Sequence, residues 1–366
     1  MLYALPDNEV MENLLPGIRD RHLSVTEAVE RIQSLPGLVP VAVNPHGSGL
    51  VYFADIGETP LIEWKYIYTI ERLSQEKEIG ETFSTDLEIL QRNDLGVDGL
   101  LPTGLIFHVS RCGSTLFTKA LARSPSNLVI NQGGPLQEGF WAFITDHWQH
   151  PPEINERNIL MLRNLVRLMA RRRRSEYQHG FIKFISWNVI YLDLIRAAFP
   201  DAAALYLYRN PVEVIANVLQ ETTAVLRAKG HSHSRELTGL LPSDTAKMSN
   251  IEYLAHCYKN YFSVALENSS AGGLHLVNYK RLRHAGAFAD ILARGFKFKP
   301  ETAELEQMRK QYLYYSKDDT DTTLFTDDID TMLDILPSGD KQIISRVCHD
   351  ALAQLDASEW NLYRSI

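Results

Sequence analysis

The chain has 366 residues, of which 45% are hydrophobic and 22% are charged, and its formal net charge is −8. This composition is typical of a globular protein with a large core and excludes a wholly disordered chain. The excess of 45 acidic over 37 basic residues argues against general nucleic-acid binding, which requires a basic surface. A few local cations can still bind a small anion.

The first hundred residues predict a small α+β unit. Ser24 and Glu27 have the spacing of a capping box, which predicts a helix beginning there. The apolar segments 38–43 and 50–53 flank a turn-rich stretch and predict a β-hairpin. A second helix is predicted around residues 61–73.

The remainder of the chain predicts an α/β domain with a mainly parallel sheet flanked by helices. We expect the boundary within residues 96–104, so that residues 1–98 form the N-terminal unit and residues 99–366 the second domain. Short apolar runs, typical of strands buried on both faces, alternate there with helical patterns. The predicted strands are residues 105–109, 128–130, 181–185, 203–208 and 274–277. The predicted helices are residues 115–123, 155–174, 189–199, 211–227 and 251–268.

Two polar stretches are interpreted without assigning them a site. Residues 171–174 are four arginines at the end of a predicted helix, and we expect them to face solvent because cations complement a helix C-terminus. Residues 229–250 predict a mobile loop near the substrate. His231 and His233 within it are weak evidence for a metal, so no metal site is predicted.

Cysteine usage and the N-terminal sequence favour a soluble, cytoplasmic protein. Cys112, Cys257 and Cys348 are odd in number and far apart, which predicts neither a disulfide framework nor a zinc site. The first residues lack the basic and apolar regions of a signal peptide, so none is expected. No run approaches the roughly 18 apolar residues of a membrane span, and no membrane partner is expected.

The loop at residues 110–115, after the first predicted strand of the α/β domain, has the composition of a phosphate cradle. Gly113 permits a tight turn and a close approach of the backbone to a ligand. Ser114 and Thr115 place hydroxyls at a helix start, where N–H groups favour an anion. Arg111 adds a cation suited to phosphate or sulfate oxygens. No Lys stands between Gly113 and Ser114, so this is not a Walker A loop. The alternative is a helix cap beside an exposed arginine.

A second strand-to-helix loop begins at Arg209. Asn210, Pro211 and Glu213 are explained by helix initiation, as N-cap, first helical residue and capping-box partner. Arg209 is not explained by helix initiation, because a cation beside a helix N-terminus is unfavourable unless an anion joins it. Asn217, two turns into the helix, is a polar helper. These residues predict a second anion site, and pairing of Arg209 with a surface carboxylate is the alternative.

Together the two loops resemble the nucleotide site of PAPS-dependent sulfotransferases. SRCGSTL at residues 110–116 resembles the loop that binds the 5′-phosphosulfate, and LYLYRNPVEVIAN at residues 205–217 resembles the segment that binds the 3′-phosphate. The motifs occur in the family's order, and the resemblance covers roughly residues 100–330. It implies a P-loop-like α/β fold, PAPS as donor, PAP as product and no required metal.

The resemblance also implies roles for individual residues. The cofactor-binding candidates of the first loop are Arg111, Cys112, Gly113, Ser114 and Thr115. Arg209 corresponds to the residue that binds the 3′-phosphate, and Asn217 replaces a common Ser but can still donate to phosphate. Lys317 lies in segment 315–318, which resembles the one that closes over the nucleotide. Tyr279 resembles a structural tyrosine of the family.

Sulfuryl transfer resembles phosphoryl transfer, in which positioning and electrostatic stabilisation dominate catalysis. Lys183 and Arg111 are candidates for stabilising the leaving phosphate. The usual family Glu and His are absent, because Asn131 and Gln132 follow the second strand and Ile185 follows Lys183 and Phe184 in the third, so Glu138 is the candidate base. The alternative for Glu138 is a loop carboxylate that caps a local turn. The alternative for Lys183 is a solubilising charge on an edge strand.

The predicted function is transfer of a sulfuryl group from PAPS to a hydroxyl or amine of a small-molecule or glycan acceptor. We expect the acceptor pocket to come from the N-terminal unit and residues 133–151 and 229–250. A catalytically inactive PAP(S)-binding relative is one alternative, because the usual base residues are missing. A P-loop nucleotide kinase is the other, and the missing Walker lysine argues against it.

Overall fold

The computed structural model describes residues 8–220, 224–318, 320–325 and 335–362. Within these residues, eight strands form two sheets: β1 Leu38–Asn44, β2 Leu50–Asp55, β3 Thr82–Asp86, β4 Pro102–His108, β5 Asn127–Asn131, β6 His179–Lys183, β7 Ala203–Tyr208 and β8 Leu274–Asn278. The first eight helices are α1 Asn8–Leu14, α2 Val25–Ser34, α3 Tyr66–Glu76, α4 Ser114–Ala122, α5 Gly139–Ile144, α6 Glu156–Met169, α7 Leu192–Ala198 and α8 Pro211–Gln220. Those that follow are α9 Ala224–Arg227, α10 His233–Thr238, α11 Pro242–Thr245, α12 Asn250–Ser270, α13 Tyr279–Leu282, α14 Ala285–Gly295, α15 Thr302–Arg309 and α16 Ser338–Ala357. Part of the predicted helix 211–227, residues 221–223, lies outside the described residues.

The N-terminal unit contains an antiparallel sheet in the order β1-β2-β3. The predicted hairpin is confirmed as β1 and β2, and the capping box of Ser24 and Glu27 opens α2. Strand β3 was not predicted, because its sequence TFSTD is short and largely polar, and it is held by pairing with β2. Helix α3 begins later than expected, at Tyr66.

The second sheet has five parallel strands in the order β5-β6-β4-β7-β8, which confirms the predicted α/β class. All five predicted strands occur. The phosphate-cradle sequence follows the central strand β4, so both neighbouring strands, β6 and β7, can contribute side chains to it. The first three strands belong to residues 1–98 and the other five to residues 99–366, and their buried residues form one continuous core. The division into these two domains stays a prediction.

The expectation that residues 171–174 face solvent is wrong for Arg171 and Arg173. Helix α6 ends at Met169, and these two arginines are 6% and 4% exposed. Arg171 donates to the carbonyls of Ile32, Leu35 and Leu38, and Arg173 donates to two more in the 57–59 turn. The guanidinium groups satisfy carbonyls that face them, of which those of Ile32 and Leu38 are buried and the others partly buried. They therefore hold the N-terminal unit against the larger sheet.

The expectation of a mobile loop at residues 229–250 is also wrong. This stretch contains the short helices α10 and α11. His233 is buried and stacks on Trp148 at 4.4 Å between ring centroids, with Trp187 edge-on at 4.8 Å. Because Gly230, Gly239 and Pro242 interrupt the stretch, each helix is too short to show a periodicity in the sequence.

Candidate active site

The turn between β4 and α4 has an unusual backbone. Arg111 and Gly113 both have positive φ angles, 58° and 78°, and the left-handed region is uncommon for a residue other than glycine. A Cβ atom on Gly113 would lie 2.9 Å from a ring carbon of Tyr279, so close packing also requires glycine there. Glycine has no side chain to cap α4, and the first N–H groups of the helix therefore face the loop, where an anion can accept from them.

Lys183 reaches this loop from the end of β6. Its side chain is 0% exposed, and its Nζ donates to Thr115 Oγ1 at 3.2 Å. Burial lowers the pKa of Lys183 to about 7, and the charges of Lys65 and Lys317 act in the same direction. The edge-strand interpretation is wrong, because β6 lies between β4 and β5. An anion beside this buried amine would raise its pKa again, so that the amine would be protonated near neutral pH.

Lys317 reaches the same loop from a late segment that folds back over α4. The Tyr315 N–H donates to the Thr323 carbonyl at 2.7 Å, and Lys119 Nζ in α4 donates to the carbonyl of Asp318 at 3.1 Å. Burial lowers the pKa of Lys317 to about 8, with further contributions from the charges of Arg111 and Lys65. The structure thus brings Lys317 to the phosphate cradle.

Two residues at this site, Trp64 and Lys65, escape sequence reasoning. Lys65 is the N-cap residue of α3, and Lys65 Nζ and Lys317 Nζ lie 4.7 and 5.1 Å from the centroid of the Trp64 ring. The sequence did carry a signal, because a lysine at a helix N-terminus is as unfavourable as Arg209 in the same position. Because the sequence predicts that α3 begins near residue 61 and the helix begins at Tyr66, this signal does not single out Lys65 at the level of sequence.

Arg209 lies behind the phosphate cradle and is 3% exposed. Its Nε donates to Glu213 Oε2 at 2.5 Å, its Nη1 donates to the Arg111 carbonyl at 3.1 Å, and its guanidinium lies 4.4 Å from the centroid of the Tyr279 ring. Glu213 is therefore the ion-pair partner of Arg209. Asn217 Nδ2 donates to the Glu213 carbonyl at 3.4 Å. A cavity of about 50 Å³ lies beside this pair, and the assignment of Arg209 and Asn217 to a 3′-phosphate stays a prediction.

Cys112 contributes to the loop through its backbone. Its side chain is fully buried, and its thiol donates to the Leu207 carbonyl at 3.3 Å. Burial raises the pKa of this thiol to about 12, so it is neutral. Any contact of Cys112 with a ligand would have to come from its main chain.

Glu138 lines a neighbouring cleft of about 600 Å³, which is formed by α1, β1, α3 and residues 134–139. Burial raises the pKa of Glu138 to about 7, and the charge of Arg227 opposes that shift. Gln137 lines both this cleft and the pocket around Lys183. The cleft is formed by two of the three regions from which an acceptor pocket is expected.

Metal-ligand clusters and membrane-spanning helices are both absent from the part of the chain that the structure describes. Within it, no three His, Cys, Asp or Glu side chains are grouped in a way that could hold a metal ion. The described helices include none with the length and apolar character needed to cross a bilayer.

The fold of this chain is similar to those of two solved sulfotransferases. Sulfotransferase STF1 from Mycobacterium tuberculosis H37Rv is 14% identical, with a TM-score of 0.37 over 65% of this chain and 78% of that chain. The sulfotransferase domain from the curacin biosynthetic pathway is 12% identical, with a TM-score of 0.38 over 70% of this chain and 98% of that chain. No protein-family model and no curated protein match the sequence. At these identities and TM-scores the likeness does not bear on function, which must be argued from the side chains of the site.

Proposed function

We propose that the chain is a PAPS-dependent sulfotransferase that transfers a sulfuryl group to a hydroxyl or amine of a small acceptor. One observation carries the proposal: Lys183 donates to Thr115 Oγ1 at the start of α4, and Lys317, whose segment is held to α4 through Lys119, lies close enough to Arg111 and Lys183 for their charges to repel one another. Helix N–H groups and several cations around one point favour a ligand with more than one negative charge. The loop lacks a Walker lysine, which favours the sulfotransferase resemblance over a kinase.

The chemistry supplied by bound PAPS is an activated sulfuryl group on a phosphate leaving group. Arg111, Lys183 and Lys317 would stabilise the charge that develops on that phosphate, as preorganised cations do in phosphoryl transfer. Thr115 Oγ1 accepts from Lys183 Nζ at 3.2 Å and orients the amine towards the loop. The pKa values of about 7 and 8 for Lys183 and Lys317 reflect burial and mutual repulsion, which a bound polyanion relieves.

Glu138 is the proposed general base for the acceptor. A carboxyl with a pKa near 7 can accept a proton near neutral pH and release it again, which suits general base catalysis. Its cleft of about 600 Å³ has room for a small molecule. The scarcity of cysteine, with all three side chains buried and free, supports the further proposal that the protein acts in a reducing, cytoplasmic compartment.

A catalytically inactive PAP-binding protein is the second candidate. The observation that favours it is the position of Glu138, which lines a cleft different from the Lys183 pocket. In that case the cation site would bind nucleotide and no acceptor proton would be removed.

A thermal-shift panel with PAP, ADP and GDP tests the donor. At about 100 times its dissociation constant, PAP should stabilise the protein by about 2.7 kcal/mol, and the stabilisation should be largely lost in Lys183→Met. The matched control is Lys299→Met, an exposed lysine that follows Phe298, which packs against the opposite end of β6. Selective stabilisation by ADP or GDP would refute the PAPS proposal. Release of PAP from PAPS on addition of an acceptor would separate the enzyme from the inactive binder.

A further inference from the structure

The N-terminal unit reaches the anion site through Trp64 and Lys65. Both side chains are partly exposed, and Lys65 Nζ lies 4.7 Å from the centroid of the Trp64 ring and 5.2 Å from that of Tyr68. Lys317 Nζ, from the segment that folds over α4, lies 5.1 Å from the centroid of the same indole. Two ammonium groups from distant parts of the chain thus share one aromatic ring, an arrangement that cation–π attraction stabilises.

The position of this segment is fixed at the carboxyl end of the large sheet. Asn131, the last residue of β5, donates through Nδ2 to the Glu63 carbonyl at 3.1 Å, and Asn131 is the register partner of Lys183 in β6. The Glu63 carboxylate binds Thr69 and Arg72. Glu63 is therefore committed within the N-terminal unit, while the backbone that carries Lys65 is anchored beside Lys183.

The charges around this point repel one another. Lys65 lowers the pKa of both Lys183 and Lys317, and Arg111 lowers that of Lys317. Lys65 also lies at the N-terminus of α3, where the helix dipole opposes a cation. Four cations from four segments therefore lie close enough for the lysines among them to repel one another, and an anion placed among them would offset that repulsion.

We propose that Trp64 and Lys65 are the contribution of the N-terminal unit to the donor site: Lys65 binds a phosphate or sulfate oxygen of the donor, and Trp64 positions Lys65 and Lys317. This inference rests on the proposed function, because it assigns the anion to the donor of that reaction. It also gives the N-terminal unit a role, since residues 99–366 alone would lack one side of the site.

Inorganic pyrophosphate and PAP, each titrated by calorimetry into the full chain, provide the test. A charged hydrogen bond is worth about 1.5–3 kcal/mol, so Lys65→Ala should weaken the binding of both by about 10- to 100-fold. Lys65→Arg retains the charge and should keep most of the affinity, and Lys299→Ala should bind as the wild type does. Circular dichroism and the melting temperature of the ligand-free variants confirm that they are folded.

Trp64 is tested as a positioning residue by a pair of variants. Trp64→Leu should weaken pyrophosphate binding although all four cations remain, and Trp64→Phe should restore most of it because a ring is again present. A purely packing role would instead be satisfied by leucine, and equal affinity of the leucine variant and the wild type would overturn the role of the ring.

The outcomes separate this inference from the donor proposal. Wild-type affinity of Lys65→Ala for both ligands would overturn the inference and leave the sulfotransferase proposal standing. Lys65-dependent binding of pyrophosphate without binding of PAP would refute PAPS as donor and retain Lys65 as an anion ligand. Failure of the wild-type protein to bind either ligand would overturn both.

Discussion

Replacement of Lys183 by methionine tests whether this buried amine loses its proton near neutral pH when no anion is bound. Methionine has a similar length and no charge, so it retains most of the packing. The lysine is 0% exposed and its Nζ makes one hydrogen bond, to Thr115. The variant therefore removes the charge and one hydrogen bond worth about 1 kcal/mol.

The expected effect follows from the change in pKa on folding. The pKa of Lys183 falls from 10.5 to about 7, so between these two values the unfolded chain binds more protons than the folded protein. The free energy of unfolding of the wild type therefore rises with pH in this window. The full difference between the two pKa values corresponds to about 5 kcal/mol in the free energy of unfolding, because one pKa unit is worth about 1.36 kcal/mol. Between pH 7 and pH 9 the rise amounts to about 2 kcal/mol.

Urea unfolding of the wild type and Lys183→Met at pH 7, 8 and 9 measures this difference directly. The titration of groups that both proteins share cancels in the comparison. From pH 7 to pH 9, the free energy of unfolding of the wild type should therefore rise by about 2 kcal/mol relative to that of the variant. Lys299→Met, at an exposed site, should follow the wild type. Parallel profiles for the wild type and Lys183→Met would show that Lys183 stays charged throughout, and would refute the reasoning from burial.

Three further substitutions, the last with a matched control, test other parts of the structure. Gly113→Ala forces a side chain into a left-handed conformation at 2.9 Å from the Tyr279 ring, so it should cost about 1–3 kcal/mol in a melting experiment and abolish PAP binding. Glu138→Gln should lower turnover by about 10²- to 10⁴-fold in an assay of PAP release while PAP affinity is retained, and normal turnover would remove this residue from the mechanism. Arg173→Met removes two hydrogen bonds, to the partly buried carbonyls of Gly57 and Thr59, each worth about 1 kcal/mol, and should destabilise the protein by about 2 kcal/mol. Arg174→Met, which removes a surface ion pair with Glu176 and a contact with the Tyr177 ring at 5.8 Å, should cost no more than about 1 kcal/mol in the same urea titration.

The large sheet could be predicted because each of its strands is a short apolar run followed by a helix. Strands buried on both faces need apolar residues throughout, so the runs at 105–109 and 203–208 stand out from the amphipathic helices beside them. The phosphate cradle follows from the same pattern, since its glycine and hydroxyls lie where a strand passes into a helix. Local sequence was sufficient for these elements.

Contacts between distant segments could not be predicted in this way. Arg171 donates to the carbonyls of Ile32, Leu35 and Leu38, and no local pattern distinguishes it from an arginine that faces solvent at a helix end. Asn131 anchors the carbonyl of Glu63, which places Trp64 and Lys65 beside the end of β6. In each case the side chain is explained by a partner far away in the sequence, which periodicity and capping rules do not address.

Arg209 joins the two loops that the sequence presents as separate anion sites. Its Nη1 donates to the carbonyl of Arg111, whose backbone has a φ of 58°, and its Nε is committed to Glu213. Removing one partner of such a buried pair typically costs about 3–5 kcal/mol, so the pair holds the phosphate cradle in shape whether or not an anion is bound. A 3′-phosphate at Arg209 would have to compete with Glu213 for the guanidinium. An anion at Arg111 would meet a carbonyl already polarised by Arg209. The two loops are therefore one structural unit, and under the proposed function donor selectivity would depend on how Arg209 divides its donors between Glu213, the Arg111 carbonyl and the nucleotide.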